Sequence, residues 1–193
     1  MSQKLDRHYY ALFKPYGYLC QFTGEPNDKL LGDLYNFPKD VYSIGRLDKD
    51  SEGLLLLSND NQLKTRLLDP TSHTEKRYWV QVEGTITQEA ITELSSGSIT
   101  IAHKGKQHQV AKAKCKLIDK PNIEDRKPPI RFRANIPTSW IELTITEGKN
   151  RQVRKMTAAV GFPTLRLIRV GIAHISIEDM SPGEVKEIDP INL

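Results

Sequence analysis

Strand-like patterns dominate this 193-residue chain, and consecutive ones are often too close for helical crossovers. That spacing limits the fold more than any other feature. It implies an α+β protein with a mixed, largely antiparallel sheet and flanking helices. YYALF at 9–13 reads as a strand that ends at Lys14-Pro15. GLLLL at 53–57, bounded by Gly53 and by Ser58-Asn59-Asp60, is short enough to be a buried strand. KRYWVQVEG alternates so that Tyr78, Val80 and Val82 face one way and Arg77, Trp79 and Gln81 the other. AKAKCKLID and SWIELTITEG are further strands, and LRLIRVGIAHISIEDMSPGEV supplies one or two more. Helices are expected at LLGDLY, from Asn59-Asp60 to about Leu68, over 87–96, and from a cap at Asn150 to about Val160, ended by Gly161 and Pro163. Residues 119–137 form a proline-rich basic loop. Strand patterns continue on both sides of it, so it is not a domain boundary.

The length suffices for one domain, or one domain of two lobes, with a real core. No run of about 18 apolar residues exists to span a membrane, and the N-terminus lacks the apolar stretch of a signal peptide. Cys20 and Cys115 read as two reduced thiols in a cytoplasmic protein. Net charge is +4. Its placement says more than its size. Lys112, Lys114 and Lys116 alternate along a strand pattern and share one face. Arg126, Lys127, Arg131 and Arg133 form a second group, Lys149, Arg151, Arg154 and Lys155 a third, and Arg166 and Arg169 a fourth. Together they favour an extended anionic partner such as a phosphate backbone.

The segment GRLDKDSEGLLLLSND places Arg46, Asp48, Asp50 and Glu52 just ahead of the apolar run. Local chemistry leaves three readings open. A calcium loop would need a bidentate Glu at its twelfth position, where Asn59 stands. Asp48 and Glu52 could be paired carboxylates for glycosidic chemistry. Asp48 could instead act alone, as nucleophile or base, with Arg46 beside it.

GRLDKDSEGLLLLSND resembles the signature of the pseudouridine synthases that act on ribosomal RNA, of types A (for the small ribosomal RNA) and B, E and F (for the large one). Three more segments agree in the family's order: Phe13-Lys14-Pro15-Tyr16-Gly17, Lys76-Arg77-Tyr78, and Glu147 through Met156. The resemblance runs from about Tyr9 to Val185. PPIR, IPTSW and GFPTLRLIR are similar to the E type in particular. Most of the group carry an N-terminal S4 RNA-binding domain. Here only eight residues precede Tyr9, so the expectation is a tail at 1–8 and one catalytic domain at 9–188, two-lobed with a central cleft and without S4.

The resemblance implies an isomerase that detaches uracil from its ribose, turns it and rejoins it through carbon, without cofactor or metal. The implied target is one uridine of 23S rRNA near the peptidyl-transferase region. Asp48 matches the family's catalytic carboxylate, attacking C1′ or removing a C2′ proton. Arg154 matches the cation that keeps it ionised, and helical geometry sets Arg154 at the edge of the face formed by Val153, Met156, Thr157 and Val160. Tyr78 matches the ring that stacks on the base, and Arg46 the residue that helps hold the flipped-out uridine. Lys14 and Lys76 serve structure or phosphate contact. Arg131, Arg133, Lys149, Arg151 and Lys155 are further RNA-binding candidates. Asp50 and Glu52 read as structural. The protein is expected to act as a monomer. The alternatives are another rRNA or tRNA site, a non-catalytic rRNA-binding protein of the same fold, and an N-glycosidase using Asp48 and Glu52.

Overall fold

The computed structural model describes residues 6–131 and 133–189. Part of the tail expected at 1–8 (residues 1–5) and position 132 of the basic loop lie outside the described residues. In chain order the elements are β1 (Tyr9–Lys14), β2 (Tyr42–Ile44), β3 (Glu52–Ser58), α1 (Asn61–Leu68), β4 (Lys76–Glu83), α2 (Gln88–Ser96), β5 (Thr100–His103), β6 (Lys106–Gln109), β7 (Lys114–Ile118), β8 (Thr138–Ile145), α3 (Gln152–Ala159), β9 (Thr164–Ile172), β10 (Ile175–Ser176) and β11 (Val185–Glu187). The chain forms two compact units, one from the residues up to Ser72 together with those from Ser176 onward, the other His73–Ile175.

In the first unit β1 lies between β3 and β11, antiparallel to both, and β2 pairs with the far end of β3. β1 and β3 are buried along their whole lengths. Each leucine of 54–57 buried from water contributes about 1.5–3 kcal/mol, which is why this apolar run had to become an interior strand. One side of the pair meets Cys20, Leu31, Phe37 and Val41, with Leu47 packed against the cluster. LLGDLY condenses only to a 3-10 turn, Leu31–Asp33. α1 is capped by Asp60, whose Oδ1 accepts from the backbone N–H groups of Gln62 and Leu63 while Oδ2 accepts from Tyr9 Oη and Arg7 Nη1. Asn59 is not the cap. Its side chain donates to Asp6 O and Asp40 Oδ2.

In the second unit β4 pairs with β8 and β9, β7 pairs with β8, and β5–β6 is a separate hairpin, all antiparallel. The alternation of β4 is realised: Tyr78, Val80 and Val82 are buried, and the residues between them are half-buried. Their core takes in Ile91 and Leu94 of α2, Ile141 and Leu143 of β8, and Val153 and Met156 of α3. α2 is capped by Thr87 Oγ1, which accepts from Ala90 N. β7 begins at Lys114, so Lys112 precedes the strand and the three-lysine face is reduced to Lys114 and Lys116. These two are ion-paired with Glu75 and Glu142. Residues 119–137 are the connection between β7 and β8. No helix among the described residues is long and apolar enough to cross a membrane. Both cysteines are free thiols.

The Asp60 carboxylate joins α1 to β1 and to the segment before it. Asp60→Ala is expected to destabilise the protein by about 2 kcal/mol, read as a fall in the urea midpoint with an unchanged slope.

Candidate functional site

Asp48 lies in the turn that joins β2 to β3, and is half-buried. Several contacts fasten the backbone of this turn. Ser51 N donates to Asp48 O at 3.0 Å, and Gly17 N donates to Lys49 O at 2.8 Å. Leu47 N donates to Cys20 Sγ at 3.2 Å, and that thiol lies 3.3 Å from Leu47 O. Lys49 Nζ reaches Asp28 Oδ1 at 3.1 Å. Gly17 has φ +87, a left-handed conformation that a side chain would strain. The first matched segment thus braces the second. Arg46 is exposed two residues ahead of Asp48, and Glu52, the first residue of β3, is 2% exposed.

Lys14 corrects an expectation. It is fully buried, and its Nζ donates to Pro15 O at 2.9 Å and Tyr18 O at 2.8 Å. An ammonium so enclosed cannot meet a phosphate, so of the two roles expected for Lys14 only the structural one survives. It holds the segment after β1 that carries Gly17.

In the second unit Tyr78 is 7% exposed and shares its core with Val153 and Met156 of α3. Arg154 is half-buried, as an edge position requires, while Arg151 is exposed. α3 starts later than the sequence implies. Arg151, not Asn150, occupies the N-cap position, in a left-handed conformation with φ +51, and its side chain makes no capping bond. The start is instead organised by Gln152, a buried residue that the periodicity did not single out. Its Oε1 accepts from Lys149 N at 3.0 Å, and its Nε2 donates to Glu147 Oε1 at 2.7 Å. Glu147 also meets Ala111 N at 2.8 Å and His108 Nε2, 2.9 Å from Oε2. Burial pushes the Glu147 carboxyl up, but the hydrogen bonds from Ala111, His108 and Gln152, with the His108 charge, hold it below the ordinary carboxylate range.

Cations gather near this point. Burial, with Lys104, Lys149, His108 and Lys155 nearby, lowers the pKa of His103. Lys155 Nζ also donates to Ala102 O. Lys76 is half-buried, its pKa lowered by burial and by Arg169, and it donates to Thr74 O. Arg131 and Arg133 are exposed on the loop before β8, Arg133 paired with Glu83. Between that loop and the sheet of its own unit is an open groove of about 1030 Å³, lined by Arg126, Arg131, Arg133, Arg166 and Trp140 among others. Of the expected site residues, Asp48, Arg46 and Lys14 belong to the first unit, and Tyr78, Arg154, Lys76, Arg131, Arg133, Lys149, Arg151 and Lys155 to the second.

A family model described as RNA pseudouridylate synthase matches residues 8–159. A protein of Vibrio parahaemolyticus named ribosomal large subunit pseudouridine synthase E is 49% identical over 175 residues, 91% of this chain and 71% of the relative. One of the same name from Xanthomonas campestris is 44% identical over 175 residues, 90% of this chain and 91% of the relative. A solved crystal structure described as a pseudouridylate synthase superposes with a TM-score of 0.76 at 26% identity, covering 95% of this chain and 71% of that one.

Two outcomes are expected from these contacts. Lys14→Met leaves two half-buried carbonyls without their donor and destabilises by about 1–3 kcal/mol, measured by urea unfolding. Unchanged stability with weakened RNA binding would restore the phosphate role. For Glu147 the folded pKa is depressed, so its stabilisation is complete above the unfolded value near about 4.3 and is lost as pH falls through the folded value. Glu147→Gln should therefore lower Tm at pH 7, and the gap from wild type should close below about pH 4.

Proposed function

Because this chain belongs to the RNA pseudouridylate synthase family, we propose that it isomerises one uridine of large-subunit (23S) ribosomal RNA in the peptidyl-transferase region, with Asp48 as the catalytic carboxylate. The large-subunit target rests on the names of the relatives from Vibrio and Xanthomonas. The observation that carries the Asp48 assignment is its setting: a half-buried carboxylate on a turn whose backbone is tied on both sides, at Leu47 and at Lys49 and Ser51. Catalytic groups need that fixity, since a shift of about 1 Å can cost about a hundredfold in rate.

The reaction breaks the N1–C1′ bond and forms a C5–C1′ bond. N1 gains a proton and C5 loses one, with no change of oxidation state. Asp48 would serve by attacking C1′ or by taking a C2′ proton. The uridine must first leave its stack, at a cost of a few kcal/mol, and exposed Arg46 is assigned to hold it out. Tyr78, fixed by its place in the second unit's core, is assigned to stack on the base, a contact worth about 1–3 kcal/mol. Arg154 is assigned the cationic role that keeps a catalytic carboxylate charged. The cations near His103, with exposed Arg151 and Arg131, suit an RNA backbone. The same reading has the protein acting as a cytoplasmic monomer.

Unmodified 23S rRNA transcript is incubated with wild type, Asp48→Asn and Glu52→Gln. Pseudouridine is then mapped by carbodiimide treatment and reverse transcription, and free uracil is assayed. Wild type should form pseudouridine at one position, Asp48→Asn should lose about a thousandfold or more, and folded Glu52→Gln should stay active. Wild type that modifies no site in rRNA contradicts the reading, and free uracil would favour paired carboxylates.

A further inference from the structure

We propose that Cys20 is a positioning residue for Asp48: its thiol clasps the backbone of the preceding residue and so sets where the carboxylate stands. The inference rests on the catalytic assignment of Asp48 and adds to it a residue outside the four motif segments. A single sulfur, Cys20 Sγ, lies 3.2 Å from Leu47 N and 3.3 Å from Leu47 O. It accepts from the first and donates its proton to the second, so both backbone polar groups of one residue close on one atom. A second backbone bond nearby would fix only one of the two.

The clasp is anchored at both ends. Cys20 is 7% exposed and belongs to the cluster of Tyr10, Leu12, Leu31, Phe37, Leu55 and Leu57, and the Leu47 side chain packs against the same cluster. The last residue of β2, Ile44, is held in register with Leu56. From there the chain runs through Gly45, with φ +76, to Leu47. The thiol thus takes hold of the chain one residue before Asp48, at the end of a stretch that has left the ladder. After it, Ser51 N holds the Asp48 carbonyl itself and Gly17 N holds that of Lys49. Asp48 is thus held at its own carbonyl and at the residue on either side.

A thiol suits the place because a large, weakly polar atom packs among leucines and still offers one donor and one acceptor. Serine offers the same pair on a shorter bond, and alanine offers neither. Serine should therefore restore most of what alanine loses. Packing alone predicts the reverse order, since alanine is as apolar as its surroundings and serine is not.

The test compares wild type, Cys20→Ala, Cys20→Ser and Cys115→Ala by steady-state pseudouridine formation on 23S rRNA, and by amide hydrogen exchange without RNA. In Cys20→Ala the Leu47 amide should exchange at least about tenfold faster, while Leu12 in β1 keeps its protection. In the same variant kcat should fall by about tenfold or more with KM within about twofold, and Cys20→Ser should return kcat to within about threefold of wild type. Cys115→Ala should match wild type in both. Unchanged Leu47 exchange in Cys20→Ala, a wild-type kcat there, or a loss that serine does not recover overturns the proposal. Wild type that forms no pseudouridine speaks against the proposed function, and the exchange measurement still decides the clasp.

Discussion

The antiparallel pairing of β1 with β3 is the contact on which the first unit depends. Its register runs from Tyr9 opposite Ser58 to Lys14 opposite Gly53, and both strands are buried from end to end. A slip of one residue would turn the Leu54–Leu57 side chains to opposite faces. The register also decides what meets at the Lys14 end of the pair. There β1 runs out into Lys14–Gly17 while β3 begins just after the Asp48 turn. Two segments more than thirty residues apart in sequence are brought side by side by a hydrogen-bond ladder, and Gly17 N meets Lys49 O as a result.

Polar groups then refine what the ladder sets coarsely. In the first unit an enclosed ammonium, a left-handed glycine and a thiol settle the backbone around one carboxylate. In the second a carboxylate does the corresponding work. Glu147 collects donors from the chain just after β6, from a histidine of β6 and from Gln152, and so fixes the first turn of the helix that carries Arg154. Neither arrangement shows as an apolar pattern, yet each determines where a residue of the matched segments stands.

This explains which parts were legible in the sequence. Burial leaves an apolar trace, a continuous run at 9–14 and 52–58 and a periodic one at 76–83 and on the inner face of α3, so these elements are readable directly, with ends shifted by a residue or two. The β5–β6 hairpin leaves little apolar trace in the sequence because its residues are mostly polar. Its signal was Lys104-Gly105, both at positive φ, a two-residue turn of the kind that joins hairpin strands. Lys14 was legible as part of a segment but not as a buried cation, since a lysine gives no sign in sequence of which carbonyls will surround it. Cys20 and Glu147 act on residues 27 to 39 positions away, and Gln152 acts on near neighbours that a change of backbone direction turns toward it, so only the folded backbone brings these partners within reach.

The proposed chemistry belongs to the Asp48 carboxylate. Its most direct test is single-turnover release of tritium from C5 of labelled uridine in 23S rRNA, with enzyme in excess. Wild type should release tritium and Asp48→Asn none above background, although the variant binds the RNA with wild-type affinity. Release by Asp48→Asn at a rate within about tenfold of wild type would contradict the Asp48 assignment.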